Sequence, residues 1–282
     1  MMFQHFILAF HINMKSRLAK VITVAFKSSK KSFISVYKNE ARWIDSPRKA
    51  SMVFNVAKVN RLLNWLIDNI YVKCGDKLFR QKIGIPMGTD CAPFLANLFL
   101  YSYEYEWIDK QVKQKKFHVL QYFKGCCRYI DDLLLINNDD HMKRYMSDIY
   151  PPELILVPDD SDGLTAPFLD LQLIIEDGAI SASIFDKRDA FDFPIVNFPI
   201  LTGNIPLKSS YGVFVGELVR YARACTCYKD FKNRTLTLVT KLKKQFFTTQ
   251  LLNRSWIKFC DSHLLLIQKY NPTVLTLHNM WK

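Results

Sequence analysis

Two neighbouring carboxylates, Asp131 and Asp132, lie in the stretch RYIDDLLLI between two short apolar runs. Burial of those runs fixes a hairpin over Cys126 to Ile136 and leaves the carboxylates at its polar tip. Adjacent carboxylates concentrate hard oxygen ligands, which suit Mg²⁺ rather than a soft metal. Phosphate chemistry of this kind uses two such ions, roughly 3.5–4 Å apart, to clamp the attacking and leaving oxygens of an in-line displacement. The clamp needs carboxylates from more than one strand. Taken alone, the same dipeptide also suits a plain polar turn, because Asp is a common turn residue.

A second segment, GIPMG, comprises Gly84, Ile85, Pro86, Met87 and Gly88. The two glycines remove side chains where backbone can approach a ligand, and Pro86 stiffens the loop between them. A helix is expected directly afterwards, with Thr89 or Asp90 as its N-cap. A glycine loop feeding a helix N-terminus is a phosphate-friendly arrangement.

The elements that must position these residues can be read from periodicity. Met14 to Lys27 has a helical apolar period (Leu18, Val21, Ile22, Ala25, Phe26) with basic residues on the other face. Val56 to Tyr71 reads as a second amphipathic helix followed by a turn at Cys74-Gly75-Asp76, and Ala92 to Trp107 as a third helix. Residues 139–149 read as a short helix that stops before Pro151-Pro152. Phe168 to Ile175 and Ala179 to Phe185 read as strands joined at Asp177-Gly178, a dipeptide favoured in tight hairpin turns. Tyr211 to Tyr270 is helical in pattern, first over Val213 to Cys225 and then over a basic stretch from Phe231 to His263. The class is α+β with an all-helical C-terminal end.

Charge is unevenly distributed along the 282 residues, whose net value is +13. Residues 1–83 carry +12, residues 84–204 carry −9 and residues 205–282 carry +10. Basic ends around an acidic middle suit phosphate-gripping regions flanking a cation site, although solvated lysines on a basic protein give the same balance. No run approaches the roughly 18 apolar residues of a membrane span. The opening MMFQHFILAFHIN lacks a cationic leader and a small-residue cleavage site, so secretion is not expected. Seven cysteines with no CxxC pair suit neither a zinc site nor a disulfide framework. The expected setting is intracellular, cytoplasmic or nuclear, with no membrane and no specific protein partner.

In this order the segments resemble the reverse-transcriptase family. GIPMGTDCAPFLANLFL is similar to its glycine loop and template-packing helix, and RYIDDLLLI to its metal-binding hairpin. FRQKIGIPMG at 79–88, FLDL at 168–171, FDKRDAFDFPIVNFP at 185–199 and LVRYARAC at 218–225 resemble the Penelope-like branch of retroelements. The resemblance implies a right-hand polymerase: a palm whose antiparallel sheet packs on helices, a basic helical thumb, and fingers largely missing. Residues 1–83 would be a remnant of fingers and palm, 84–204 the palm with loop and hairpin, and 205–282 the thumb-like region. Asp131 would be the Mg²⁺ ligand, with Asp132 its supporting neighbour. Gly84 to Gly88 would shape the nucleotide and template pocket, with Arg80 and Gln81 at its rim. Lys187 and Arg188 would lie near a primer. The implied activity is RNA-directed DNA polymerisation with two Mg²⁺ ions, on an RNA or DNA template–primer with deoxynucleotides.

One element of the family pattern is missing. The family carries another catalytic aspartate on a palm strand ahead of the helix that begins here at Met14, yet residues 1–39 contain no Asp or Glu. Before Gly84 the acids are Glu40, Asp45, Asp68 and Asp76, none of which suits a buried strand position in that place. The expectation is an N-terminally truncated element, with its first residues unrelated to the fold, that does not polymerise by itself. Three readings follow: an enzyme completed by a carboxylate from elsewhere, a non-catalytic nucleic-acid-binding remnant of a transposon, or a two-metal nuclease. The nuclease reading leaves the GIPMG loop unexplained.

Overall fold

The computed structural model describes residues 2–8, 13–47, 52–81, 84, 89–138, 140–158, 163–193 and 195–270, with backbone alone for 2–8 and 158. It has mixed helices and antiparallel sheets. Two compact units divide the chain, one of residues 4–159 and one of residues 160–282 with residues 1–3. This division does not follow the charge boundaries at 83 and 204, and segment 84–204 contributes to both units. Among the described residues no helix is long and apolar enough to cross a membrane.

In the first unit, which takes residues 4–8 of β1 (Met2–Leu8), that strand precedes α1 (Met14–Ser29), which ends where Lys30 turns left-handed and its N–H reaches the Lys27 carbonyl. β2 (Phe33–Tyr37), β3 (Glu40–Ile44) and β4 (Met52–Phe54) form a sheet in the order β3-β2-β4. The helix α2 (Val56–Asp68) starts at Asn55, whose side chain accepts the Lys58 N–H at 2.9 Å. Unlike the helix expected to Tyr71, it stops at Asp68. The Asn69 side-chain amide binds the Trp65 carbonyl at 2.8 Å, and the Ile70 carbonyl accepts from Gln81 N–H at 2.8 Å. The backbone is thereby handed to a hairpin, β5 (Tyr71–Cys74) and β6 (Lys77–Arg80), turning at Gly75.

The helix α3 (Ala92–Lys113) runs a turn and a half past the expected Trp107, its last turn carrying the Asp109–Lys113 pair. It buries Leu95, Phe99, Leu100 and Trp107. Beyond the short α4 (Phe117–Gln121) come β7 (Cys126–Tyr129), β8 (Asp132–Leu135), α5 (His141–Ile149) and β9 (Leu154–Pro158). The sheet order is β7-β8-β1-β9, with β1 antiparallel to β9 from Gln4↔Pro158 to Leu8↔Leu154. The opening segment, expected to be unrelated to the fold, is therefore an internal strand beside the one that carries Asp132. The apolar β8 run Leu133–Leu135 is buried together with Leu18, Met142 and Leu154.

In the second unit, β10 (Thr165–Phe168), β11 (Leu171–Glu176) and β12 (Ala179–Ile184) form an antiparallel meander. Asp177 and Gly178 both have positive φ, as a two-residue Asp-Gly turn requires. Phe168 closes β10 instead of opening β11, because Leu169 turns left-handed after it. Four helices follow: α6 (Leu207–Ala224), α7 (Tyr228–Lys243), α8 (Thr249–Ser262) and α9 (Leu264–Gln268). The stretch expected to be continuously helical from Phe231 to His263 is broken at Phe246, which has φ 69°, and restarts at Thr248, whose hydroxyl accepts the Leu251 N–H. Phe214, Leu218, Phe231, Leu242, Trp256 and Phe259 fill the core.

A short 3₁₀ turn, Lys187–Ala190, ties the meander to α7 through charge. The Asp186 side chain is 9% exposed. It takes both forks of Arg188, at 2.6 and 3.0 Å, and Arg234 at 2.8 Å. Arg234 and Lys241 also bind Asp189. Burial opposes ionisation of Asp186, but the hydrogen bonds from Arg188 and the charges of Arg188 and Arg234 outweigh it and hold the carboxyl at about 2. The unfolded chain, with Asp near 3.9, binds the proton more tightly. Stability contributed by Asp186 is thus fully present above about pH 4 and lost as pH falls through about 2. Asp186→Asn is expected to lower urea resistance at neutral pH by about 2 kcal/mol. The gap from wild type should close toward pH 2, and urea titrations that show a constant gap would refute the assignment.

Candidate functional site

The hairpin β7–β8 pairs Tyr129 with Asp132, leaving Ile130 and Asp131 as a two-residue turn. Asp131 and Asp132 are therefore at the tip, both half-buried. Gly125 stands at the base of the hairpin, where a Cβ would come 2.6 Å from the Ile136 carbonyl oxygen, so no larger residue fits without a backbone shift. Ile130 has φ 54°. Positive φ at the first turn position alone is the pattern of a primed turn that normally takes glycine, and a β-branched residue there is strained by about 1–3 kcal/mol.

The surroundings hold that strained peptide at both ends. Asn97 of α3 accepts the Ile130 N–H at 3.1 Å, and Arg128 donates to the Ile130 carbonyl at 3.1 Å. Arg128 also reaches Asn97 Oδ1 at 2.7 Å, the Asn97 carbonyl at 3.3 Å, and Glu104 through Nε at 2.5 Å and Nη2 at 3.0 Å. All five of its N–H groups are used. Tyr150 donates to Glu104 at 2.7 Å, and burial, with Glu104 beside it, pushes its phenol well above the ordinary range. These four residues, to none of which the family resemblance gives a role, brace the aspartate turn against α3. A charged residue placed in a short strand that must be partly buried was the available signal, since such a charge requires a partner.

The carboxylates ahead of Gly84 do not gather at the hairpin. Glu40 pairs with Arg42 at 2.5 Å, Asp45 with Lys31 at 2.6 Å and Asp68 with Lys15 at 2.5 Å, while Asp76 lies in the β5–β6 turn. Within the strands of the hairpin's sheet, β1 (MFQHFIL), β7 (CCRY) and β9 (LILVP) contain no acid. Among the described residues no three His, Cys, Asp or Glu side chains form a group that could hold a metal. Asp131 and Asp132 suit Mg²⁺ in donor type, but in number this set does not fit a two-ion clamp.

The remaining expected site residues are placed as follows. Ile85, Pro86, Met87 and Gly88 lie outside the described residues. Gly84 has φ 88°, a conformation that favours glycine, and a Cβ there would come 3.2 Å from the Gln81 side chain. Arg80 ends β6, its Nε donating to the Asp68 carbonyl at 2.7 Å across the end of α2. Lys187 is exposed, whereas Arg188 is chelated by Asp186.

No protein-family model and no curated protein matches the sequence. Among solved structures the chain is similar to an apo telomerase from Candida tropicalis, truncated from its C-terminal domain, with TM-score 0.34 and 12% identity. The match covers 64% of this chain and 35% of the telomerase chain.

The brace makes a double-mutant prediction. Asn97→Ala should cost about 2 kcal/mol, because it leaves the Ile130 N–H unpaired and removes an Arg128 partner. In an Ile130→Gly background the turn no longer needs to be held against strain, and the same substitution should cost measurably less. Glu104→Ala, which strands Arg128 at 11% exposure, should cost about 3 kcal/mol. Urea denaturation of the four cycle members provides the coupling, and strict additivity would argue against the brace.

Proposed function

We propose that this chain is a reverse-transcriptase-type palm and thumb of a retroelement, resembling the Penelope-like branch, that holds template–primer but does not polymerise by itself. The observation that carries the reading is the braced Asp131–Asp132 hairpin, whose strand β8 neighbours β1, a strand with no acid. A hairpin tip of paired carboxylates, following a glycine loop and a long helix, supports descent from a nucleotidyl-transfer palm. The acid-free neighbour supports loss of catalysis, because carboxylates from one hairpin do not complete a clamp around two Mg²⁺ ions. In this reading residues 84–204 are the palm segment and 205–282 the thumb, with residues 1–83 contributing to fingers and palm.

What remains available to this chain is grip on phosphates. The two basic ends, +12 and +10, support sequence-indifferent binding of an RNA or DNA template–primer. Deoxynucleotides would then be bystanders unless a further carboxylate were supplied by another molecule.

Two measurements test the reading on the full chain. Template–primer affinity should fall by roughly two orders of magnitude between about 50 and 200 mM salt, the slope of about four phosphate contacts. Primer extension on RNA with Mg²⁺ and deoxynucleotides should be undetectable. Extension that disappears in Asp131→Asn would overturn the non-catalytic reading, and absence of binding at the lower salt would overturn the nucleic-acid reading itself.

A further inference from the structure

Between α3, α4, α5 and the β7–β8 hairpin lies a cavity of about 450 Å³, all of it within the first unit. Its volume falls in the range of small-molecule sites. Leu120, Phe123, Leu133, Met142 and Ile149 make most of its wall, with the indole of Trp107 against Phe123 at 5.0 Å. Apolar surface therefore dominates.

The polar groups on that wall are nearly all committed. Arg128 has its five N–H groups engaged, and Glu104 accepts from Arg128 through both oxygens and from Tyr150. Burial raises the Cys126 thiol to about 11, with Cys127 adding to it, so this side chain is neutral at physiological pH. Tyr150 is neutral for the same reason. The Glu104 and Arg128 charges cancel, which leaves Lys124, an exposed lining residue whose ammonium pairs with no carboxylate among the described residues. The wall thus carries a net charge of one positive unit at its solvent side.

We propose that this cavity is a binding site for a small aromatic monoanion, its ring between Trp107 and the aliphatic wall and its carboxylate or sulfonate at Lys124. The occupant would lie against Glu104, Arg128 and Tyr150, the brace of the Asp131 turn. The proposal depends on the cavity and its charge alone, and stands whether or not the chain binds nucleic acid.

The probe is 1-naphthoate, titrated calorimetrically into the full chain and followed by the ¹⁵N-indole resonances of its five tryptophans, with Trp107→Phe identifying one of them. One molecule per chain is expected, with a Kd on the order of 100 μM for a ligand of this size. The Trp107 resonance should shift. Neutral 1-naphthylmethanol, and 1-naphthoate with Lys124→Glu, should each bind about tenfold more weakly or worse. Ile108→Trp fills the mouth from a position that is 45% exposed, and should abolish the Trp107 shift while thermal melting shows the variant folded. No binding by wild type, or affinity unchanged by the neutral analogue and by both variants, would overturn the proposal.

Discussion

The guanidinium of Arg128 is the constraint on which the first unit depends. Its five donors meet Glu104, Asn97 and the Ile130 carbonyl, so one side chain on an edge strand is fixed to two turns of α3 and to the tip of its own hairpin. A partly buried charge is costly unless every donor is satisfied, and here the satisfying groups come from the helix that carries the core residues Phe99, Leu100 and Trp107. Packing of α3 and placement of Asp131 are consequently one problem. Loosening the helix would strand the arginine, and removing the arginine would release a turn whose Ile130 has no intrinsic preference for its conformation.

Left-handed backbone also occurs at Leu169 and Phe246, but at Ile130 the peptide is held at both ends by side chains, Asn97 from α3 and Arg128 from its own strand. An Asp-Gly turn, such as the one joining β11 to β12, satisfies its backbone by residue type alone and needs no brace. The Ile130–Asp131 turn instead relies on tertiary contacts. That contrast is a property of the backbone at the tip, and it is present although the neighbouring strand β1 offers no acid. The geometry of the turn and the completeness of the ligand set are thus separable properties of this chain.

Local chemistry made part of the architecture legible in the sequence. The hairpin around YIDD, the helix from Met14 and the Asp177-Gly178 turn each announce themselves within a dozen residues, through periodicity or a turn dipeptide. The role of β1 did not, because its evidence is a pairing of Leu8 with Leu154 that no local pattern contains. The turn at Cys74-Gly75-Asp76 was legible, but the helix was carried on to Tyr71, the first residue of β5, because the apolar run continues the helical period past Asp68 and only the amide of Asn69 marks the stop. The α7–α8 break was hidden likewise, since Phe247 keeps the hydrophobic pattern in step while Phe246 turns left-handed. At the site, residue types disclosed Asp131 and Asp132, but the brace links positions 97, 104, 128 and 150, whose juxtaposition arises only when α3 packs beside the β7–β8 hairpin.

Charge shows the same gap between composition and structure. The C-terminal excess of basic residues suggests a broad phosphate-binding surface, yet Arg220 is held by Asp170 and Glu217, and Arg234 and Lys241 by Asp186 and Asp189. Those cations fasten α6 and α7 to the meander, and a phosphate would have to compete with a carboxylate already in place. The cations left exposed on α7, α8 and the turn between them include Lys229, Lys243, Lys244, Arg254 and Lys258. Each is a long side chain on a helical surface, free to follow a backbone without fixing a register. The C-terminal charge thus divides into cations locked in ion pairs that hold α6 and α7 in place and cations that face solvent, a division that composition alone does not reveal.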